Sequence, residues 1–284
     1  MITTRSINKV RKIIKKAKSK KKIVGFVPTM GALHLGHLSL IREAKKECDF
    51  VVVSIFVNPI QFGPHEDYRR YPRNFKEDKK ILEEEKVDLL FLPSVKAMYP
   101  ENFSTYVEEV SLSKYLCGRF RPGHFRGVTT VVTKLFNIVM PDISYFGQKD
   151  FQQAQIIKRM VRDLNFSIKI KVLPIIREED GLAMSSRNSY LTYSEREKAK
   201  FLYRSLKKAE KMIKKGEKDA GKIKRRMIEF IKEKIPESKI DYVEIVSPFA
   251  LENLNTLKKN QKVLIALAVH LGGARLIDNI LVRV

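Results

Sequence analysis

Apolar residues along this chain follow two alternating rhythms. Between residues 22 and 173, short apolar runs rich in β-branched residues alternate with longer segments whose apolar positions recur every three or four residues. The runs predict strands at 22–29, 50–57, 88–92, 105–110, 143–146 and 168–173. The longer segments predict helices at 35–48, 74–86, 127–139 and 151–164. Asn58-Pro59 stops the second strand, because proline restricts the residue before it and cannot donate to a ladder. Strands separated by helices imply a parallel sheet with helices on both faces. After about residue 176 the rhythm changes. A loop, DGLAMSSRN, leads into a long basic helix, a helix at 219–234 and strand-like runs at 242–246, 262–269 and 274–282. This pattern predicts a larger α/β domain over residues 1–175 and a smaller α+β domain over 176–284.

Composition adds bounds. The 284 residues are 44% apolar, enough for a sizeable core. The longest apolar stretches, 50–57 and 263–271, fall short of the ~20 residues that span a bilayer, so no membrane partner is expected. The first 22 residues lack the apolar core of a secretory signal. Two cysteines, Cys48 and Cys117, make no disulfide framework or zinc site, and a cytoplasmic location is expected.

The net charge of +24 invites a nucleic-acid reading, but its distribution argues otherwise. Residues 1–22 carry +10 and residues 193–239 carry +9, leaving +5 for the rest. Both basic stretches have helical apolar spacing, through Ile7, Val10, Ile13, Ile14 and Ala17, and through Ala199, Leu202, Leu206, Ala209 and Ile213. Thr192 with Glu195, or Ser194 with Glu197, would cap the second, and Gly216 suits its end. Lysine dominates both, without the interleaved aromatics of a single-strand platform. They read as solvated helix faces, with no nucleic acid partner expected.

Four stretches carry chemistry. PTMGALHLGH (28–37) ends the first strand and opens the first helix. Ligands of an open parallel sheet bind at the C-terminal strand edge, and a helix start there offers N–H groups and a positive dipole end to phosphate. Gly31 allows a tight turn, and Gly36 a close approach of a flat ring. His34 and His37 share one face of the first helical turn. His-x-Gly-His in this context marks enzymes that direct attack at the α-phosphate of ATP. FGQKDFQQ (146–153) also follows a strand; Lys149 suits a phosphate, Asp150 a helix cap or a ribose hydroxyl, and Gln153 lies a turn further on. Met184-Ser185-Ser186-Arg187-Asn188 reads as a phosphate clamp. Asn58-Pro59-Ile60-Gln61 places a donor and acceptors of Gln61 at a strand end.

With NPIQFGPHEDYRRYPR (58–73) and RPGHFRGVTTVVTKLFNI (121–138), these stretches resemble the pantothenate synthetase (pantoate–β-alanine ligase) family in order and spacing, over essentially the whole chain. Gln148 stands where many members have glutamate. The resemblance implies a Rossmann-like doubly wound sheet domain and a C-terminal lid associated with the dimer. It implies condensation of pantoate with β-alanine through a pantoyl adenylate, releasing AMP and pyrophosphate. ATP would be bound by Met30, Gly31, Ala32, Leu33, His34, Leu35, Gly36, His37, Gly147, Gln148, Lys149, Asp150, Ile176, Met184, Ser185, Ser186 and Arg187. His37, His34 and Lys149 would be catalytic, and Gln61 and Gln153 would bind pantoate, Gln61 also lying near β-alanine. Val131 and Val132 are candidates to pack against the geminal methyls of pantoate. Mg2+ would come with ATP, and Asp78, with Glu77, is a weak protein contact for it whose plainer reading is a solvated helix face. A homodimer is implied. The nearest alternative is a nucleotidyltransferase of the same superfamily acting on phosphopantetheine or nicotinate mononucleotide; a basic RNA-binding protein is a more distant one.

Overall fold

The computed structural model describes residues 1–284. In chain order its elements are β1 (Ile2–Thr4), α1 (Ile7–Ser19), β2 (Val24–Thr29), α2 (Leu35–Glu47), β3 (Phe50–Ile55), α3 (Phe75–Glu84), β4 (Leu89–Phe91), α4 (Val95–Met98), α5 (Cys117–Phe120), α6 (His124–Val139), β5 (Ile143–Gly147), α7 (Phe151–Asp163) and β6 (Lys169–Leu173). There follow α8 (Tyr193–Lys214), α9 (Ala220–Lys234), β7 (Lys239–Val246), β8 (Lys262–Leu271) and β9 (Ala274–Arg283). Six strands form a parallel sheet in the order β1-β4-β3-β2-β5-β6. The chain builds outward from β2 through β3 to β4, then returns to add β5 and β6 on the other side. The strand order therefore reverses between β2 and β5, the place where an open sheet leaves a crevice at its carboxyl edge.

Alternation along each strand sorts side chains to the two faces. Val52, Leu89 and Phe91 pack with Val10 and Ile14 of α1 and Val128 and Leu135 of α6. Val51, Val53 and Leu90 pack with Ile41 and Ala44 of α2 and Leu82 of α3. The apolar stripe expected on α1 is used as such: Val10, Ile14 and Ala17 are buried, and its lysines stay outside.

Two differences from the sequence reading stand out in this sheet. Residues 105–110 form no strand. Their backbone is satisfied by helix hydroxyls instead: Val107 N donates to Thr130 Oγ1 at 3.0 Å, and Val107 O accepts from Thr129 Oγ1. Conversely, Ile2–Thr4 pairs in register with Leu89–Phe91. Three residues, two of them threonine, are too few to show an apolar period.

Contact density divides the chain into one unit of Met1–Ser111, Arg121–Gln148 and Gln153–Pro174, and a second of Leu112–Phe120, Lys149–Gln152 and Ile175–Val284. The sequence reading has one boundary at 175; the short segments 112–120 and 149–152 instead group with the second unit. That unit is built on an antiparallel sheet, β7-β8-β9, covered by α8 and α9. Ala199, Leu202, Leu206, Ala209 and Ile213 of α8 are buried in its core. The capping box at the start of α8 uses Thr192 and Glu195, not Ser194 and Glu197. Many of its lysines pair with nearby acids, among them Lys198 with Glu237 and Lys224 with Glu244. No helix is long and apolar enough to cross a membrane.

One close approach in the first unit bears on function. A Cβ at Gly127 of α6 would stand 2.5 Å from Ile60 O and 2.6 Å from Gln61 Cα. Both are backbone atoms of the 3-10 turn Pro59–Gln61, so neither can step aside like a side-chain tip. Gly127→Ala is expected to destabilise the chain by about 1–3 kcal/mol. A urea midpoint equal to that of the parent would contradict this packing.

Candidate active site

The turn from β2 into α2 lies at the reversal point of the sheet, and its backbone donors are nearly all engaged. Gly31 N donates to Thr29 Oγ1 at 3.2 Å, and that hydroxyl itself donates to Ser54 O on β3. Ala32 N and Leu33 N donate to Asp78 Oδ2 and Oδ1 at 2.9 and 2.7 Å. His34 N donates to His37 Nδ1, and Gly36 N to His34 Nδ1. The sequence reading expects open N–H groups for phosphate at this helix start. Most are instead closed by acceptors of the chain itself.

The closure decides what the histidines offer. Each Nδ1 accepts a backbone N–H, so the proton of each neutral ring sits on Nε2. The rings lie 4.1 Å apart, centroid to centroid. Gly36 permits this: a Cβ there would stand 2.8 Å from His34 Cε1, so the flat ring it admits is that of His34. In this turn the N–H of each neutral imidazole is therefore at Nε2, while the peptide N–H groups beside it are tied to acceptors of the chain.

Asp78 fits neither a magnesium contact nor a solvated helix face. It is 3% exposed, so water does not reach it as it would a surface acid. Both its oxygens accept backbone amides of the turn, and no three His, Cys, Asp or Glu side chains cluster to hold a metal. The residues present do not fit a protein-held magnesium. Burial pushes its pKa above the ordinary carboxylate range, while the two amide donors pull it back.

Gln61 sits in the buried end of a side-chain chain. Asn58 Nδ2 donates to Gly127 O at 3.1 Å and to Gln61 Oε1 at 3.0 Å; Tyr99 Oη donates to Asn58 Oδ1 at 2.6 Å. A backbone carbonyl can only accept, so Gly127 O fixes which way the Asn58 amide faces, and Asn58 fixes Gln61. Gln61 Oε1 is engaged and its NH2 points toward Met30 Sδ at 3.1 Å. Gln61 therefore presents a donor, where its sequence position promised donor and acceptors. Its backbone carbonyl accepts His124 Nδ1–H at 2.8 Å, which leaves His124 Nε2 to accept from Arg121, itself paired with Glu66. Asn58, Arg121 and His124 lie in the stretches NPIQFG and RPGHFRG but have no site role of their own in the sequence reading, and Tyr99 lies outside every motif.

A cavity of about 390 Å³ opens beside this turn, lined by Met30, Gly31, Phe56, Tyr68, Arg73 and Asp78 among others. Val131 and Val132 are 6% and 4% exposed and belong to the core under the sheet, so packing is their visible role. Gly147 ends β5 beside open space, with nothing within 4 Å of a Cβ built on it. Gln148 opens the following 3-10 turn, and Gln153 is half-buried on α7.

In the second unit, Lys149 Nζ stands 3.5 Å from Asp150 Oδ2, and Lys149 O accepts from Asn279 Nδ2 of β9. Gln152 ties the same segment to Leu112, Tyr115 and Cys117 through its side-chain amide. Ile176, expected at ATP, accepts at its carbonyl from Met184 N at 3.0 Å. Ser185 caps the turn Ser186–Tyr190 by accepting from Arg187 N. A frame of ion pairs supports this loop: Arg177 with Asp278, and Arg196 with Glu178 and Asp180.

Comparison with known proteins agrees with the motif reading. A family model described as pantoate-beta-alanine ligase matches residues 2–281. Pantothenate synthetase of Thermotoga petrophila is 59% identical over 96% of this chain and 97% of its own length. A crystal structure of pantothenate synthetase from Thermus thermophilus superposes with a TM-score of 0.91 at 45% identity, covering 99% of each chain. The structure of pantoate-beta-alanine ligase from Francisella tularensis, complexed with beta-gamma ATP and beta-alanine, gives a TM-score of 0.81 at 38% identity, covering 99% of this chain and 97% of that one.

The Asn58 anchor generates a test of its own. Asn58→Ala leaves Gln61 Oε1, Gly127 O and the Tyr99 hydroxyl without their buried partner, at an expected cost of about 1–3 kcal/mol. Urea unfolding should report that loss, and the Gln61 side-chain amide signals in NMR should lose their dispersion. An unchanged Gln61 signal would show that the anchor does not orient it.

Proposed function

The chain belongs to the pantoate-beta-alanine ligase family, and from that premise we propose how its own residues carry the reaction. It is an ATP-using ligase that condenses pantoate with β-alanine to pantothenate. In this reading a pantoate carboxylate oxygen bonds to the α-phosphorus of ATP, and the bond from that phosphorus to the bridging oxygen of the β-phosphate breaks, releasing pyrophosphate. The β-alanine amine then attacks the acyl carbon of pantoyl adenylate and loses a proton as AMP leaves. No protein nucleophile is needed; positioning and charge stabilisation supply the rate.

The observation that carries this reading is the pair of Nε2–H donors at the carboxyl edge of the sheet. His34 and His37 are assigned to the phosphates, and the segment Met30–His37 with Gly147, Gln148 and Asp150 to the nucleotide. Lys149 is assigned to the charge that builds up in the in-line displacement. Its backbone anchorage through Asn279 supports a fixed cation there. Ile176, Met184, Ser185, Ser186 and Arg187 are likewise assigned to ATP. Gln61, as a donor, suits the carboxylate and hydroxyl oxygens of pantoate, with Gln153 as the second pantoate group. Magnesium enters as the counter-ion of ATP, held by phosphate oxygens and water. The working form is proposed to be a cytoplasmic homodimer.

Incubation with ATP, pantoate and β-alanine should release AMP and pyrophosphate in step with pantothenate. A product that retains the nucleotide would favour a nucleotidyltransferase instead. Lys149→Ala should slow pyrophosphate release by about 10²–10³-fold with secondary structure intact. Gln61→Ala should raise the KM for pantoate more than that for ATP. Normal pyrophosphate release from the lysine variant, or equal KM changes from the glutamine variant, would overturn those assignments.

A further inference from the structure

Asp78 lies 45 residues from the turn it touches, in a helix that reads as ordinary amphipathic surface. Its carboxylate is nonetheless almost fully buried and bonded in two directions to consecutive amides, Ala32 N and Leu33 N. The conformation of that segment explains the need. Gly31 has φ +82° and Ala32, which carries a side chain, has φ +51°. A non-glycine residue in the left-handed region costs free energy and persists only where its surroundings hold it. Left-handed backbone of this kind also turns successive N–H groups to one side, which makes a concave anion seat. Asp78 Oδ1 and Oδ2 fill the seat from within. Its place in the first turn of α3 adds a favourable dipole. A side chain at Gly31 would collide with the same carboxylate, since its Cβ would stand 2.9 Å from Oδ2.

The consequence reaches the histidines. Leu33 precedes His34, the N-cap of α2, and the ring geometry of His34 and His37 depends on where that cap begins. We infer that Asp78 is a positioning residue that holds the Gly31–Leu33 turn, left-handed at Gly31 and Ala32, and thereby sets the Nε2–H donors of His34 and His37. The inference rests on the ligase reading only for its kinetic consequence; the brace itself is a property of the fold. It also reassigns the acidic side chain that the family resemblance offered as a magnesium contact.

The test uses the full chain with Asp78→Asn and Asp78→Ala. Asparagine keeps one acceptor oxygen and the shape; alanine keeps neither. Amide hydrogen exchange should show lost protection at Ala32 and Leu33 in both variants, larger in Asp78→Ala, with Ile41 and Ala44 of α2 still protected. Unchanged exchange at Ala32 and Leu33 would overturn the brace, and this holds whatever reaction the chain performs. In pantothenate synthesis, Asp78→Ala should lower kcat/KM for ATP by about 10²-fold and Asp78→Asn by about 10-fold, the scale of a misplaced catalytic group. The KM for β-alanine should stay within about twofold, because its amine reacts in the second displacement. Recovery of either variant by excess magnesium would overturn the positioning role in favour of a metal ligand. An inactive parent chain would sink the ligase reading and leave the exchange result to decide the brace. If Asp78→Ala fails to fold, Asp78→Asn carries both measurements.

Discussion

Peptide N–H groups at a strand-to-helix turn must find acceptors, and here the chain supplies them itself. Thr29 takes the amide of Gly31, Asp78 those of Ala32 and Leu33, and the two imidazoles those of His34 and Gly36. A turn with open amides would bind phosphate through its backbone. This one converts its amides into structural ties, and in the proposed reaction the imidazole N–H groups take over as donors. The exchange has chemical sense. A peptide N–H is fixed in place and never ionises, whereas an imidazole can follow a phosphate as it is displaced and can carry a proton.

The same logic runs through the surroundings of Gln61. Gln61 is a flexible side chain, yet its amide has one orientation because Gly127 O dictates Asn58 and Asn58 dictates Gln61. Gly127 is the enabling residue: without its missing Cβ, α6 could not approach the turn closely enough for that carbonyl to serve. The sheet sets the scale for all of this. Residue-for-residue pairing of β2 with β3 brings Thr29 level with Ile55, so the two turns that carry Met30 and Gln61 start from one edge, and Gln61 Nε2 meets Met30 Sδ.

Most of the fold was legible because it rests on period. Five of the six strands of the parallel sheet, the long helices and the stripe on each basic helix follow from apolar spacing alone. What was not legible depends on partners distant in sequence. Residues 105–110 have strand-like composition, but threonine hydroxyls of α6 occupy their backbone. Ile2–Thr4 joins the sheet with a single apolar residue. His34, His37, Gln61 and Lys149 stand out from local context, whereas the contacts made by the residues that hold them do not. Asp78, Asn58 and Asn279 act on groups 45, 69 and 130 residues away. Nothing in their local spacing could reveal it. The charge of +24 shows the converse: it is conspicuous in sequence, yet it lies mainly in residues 1–22 and 193–239, outside the motif stretches.

The tautomers of the histidines test this account most directly. The chain has five histidines, so 15N-histidine labelling with His34→Gln and His37→Gln for assignment resolves the signals. His34 and His37 should both carry the proton on Nε2 at neutral pH, and His124, whose Nδ1 donates to Gln61 O, should show the opposite form. A proton on Nδ1 of either His34 or His37 would mean that the backbone amides of the turn are not closed by the rings, and the donor assignment would fall with it.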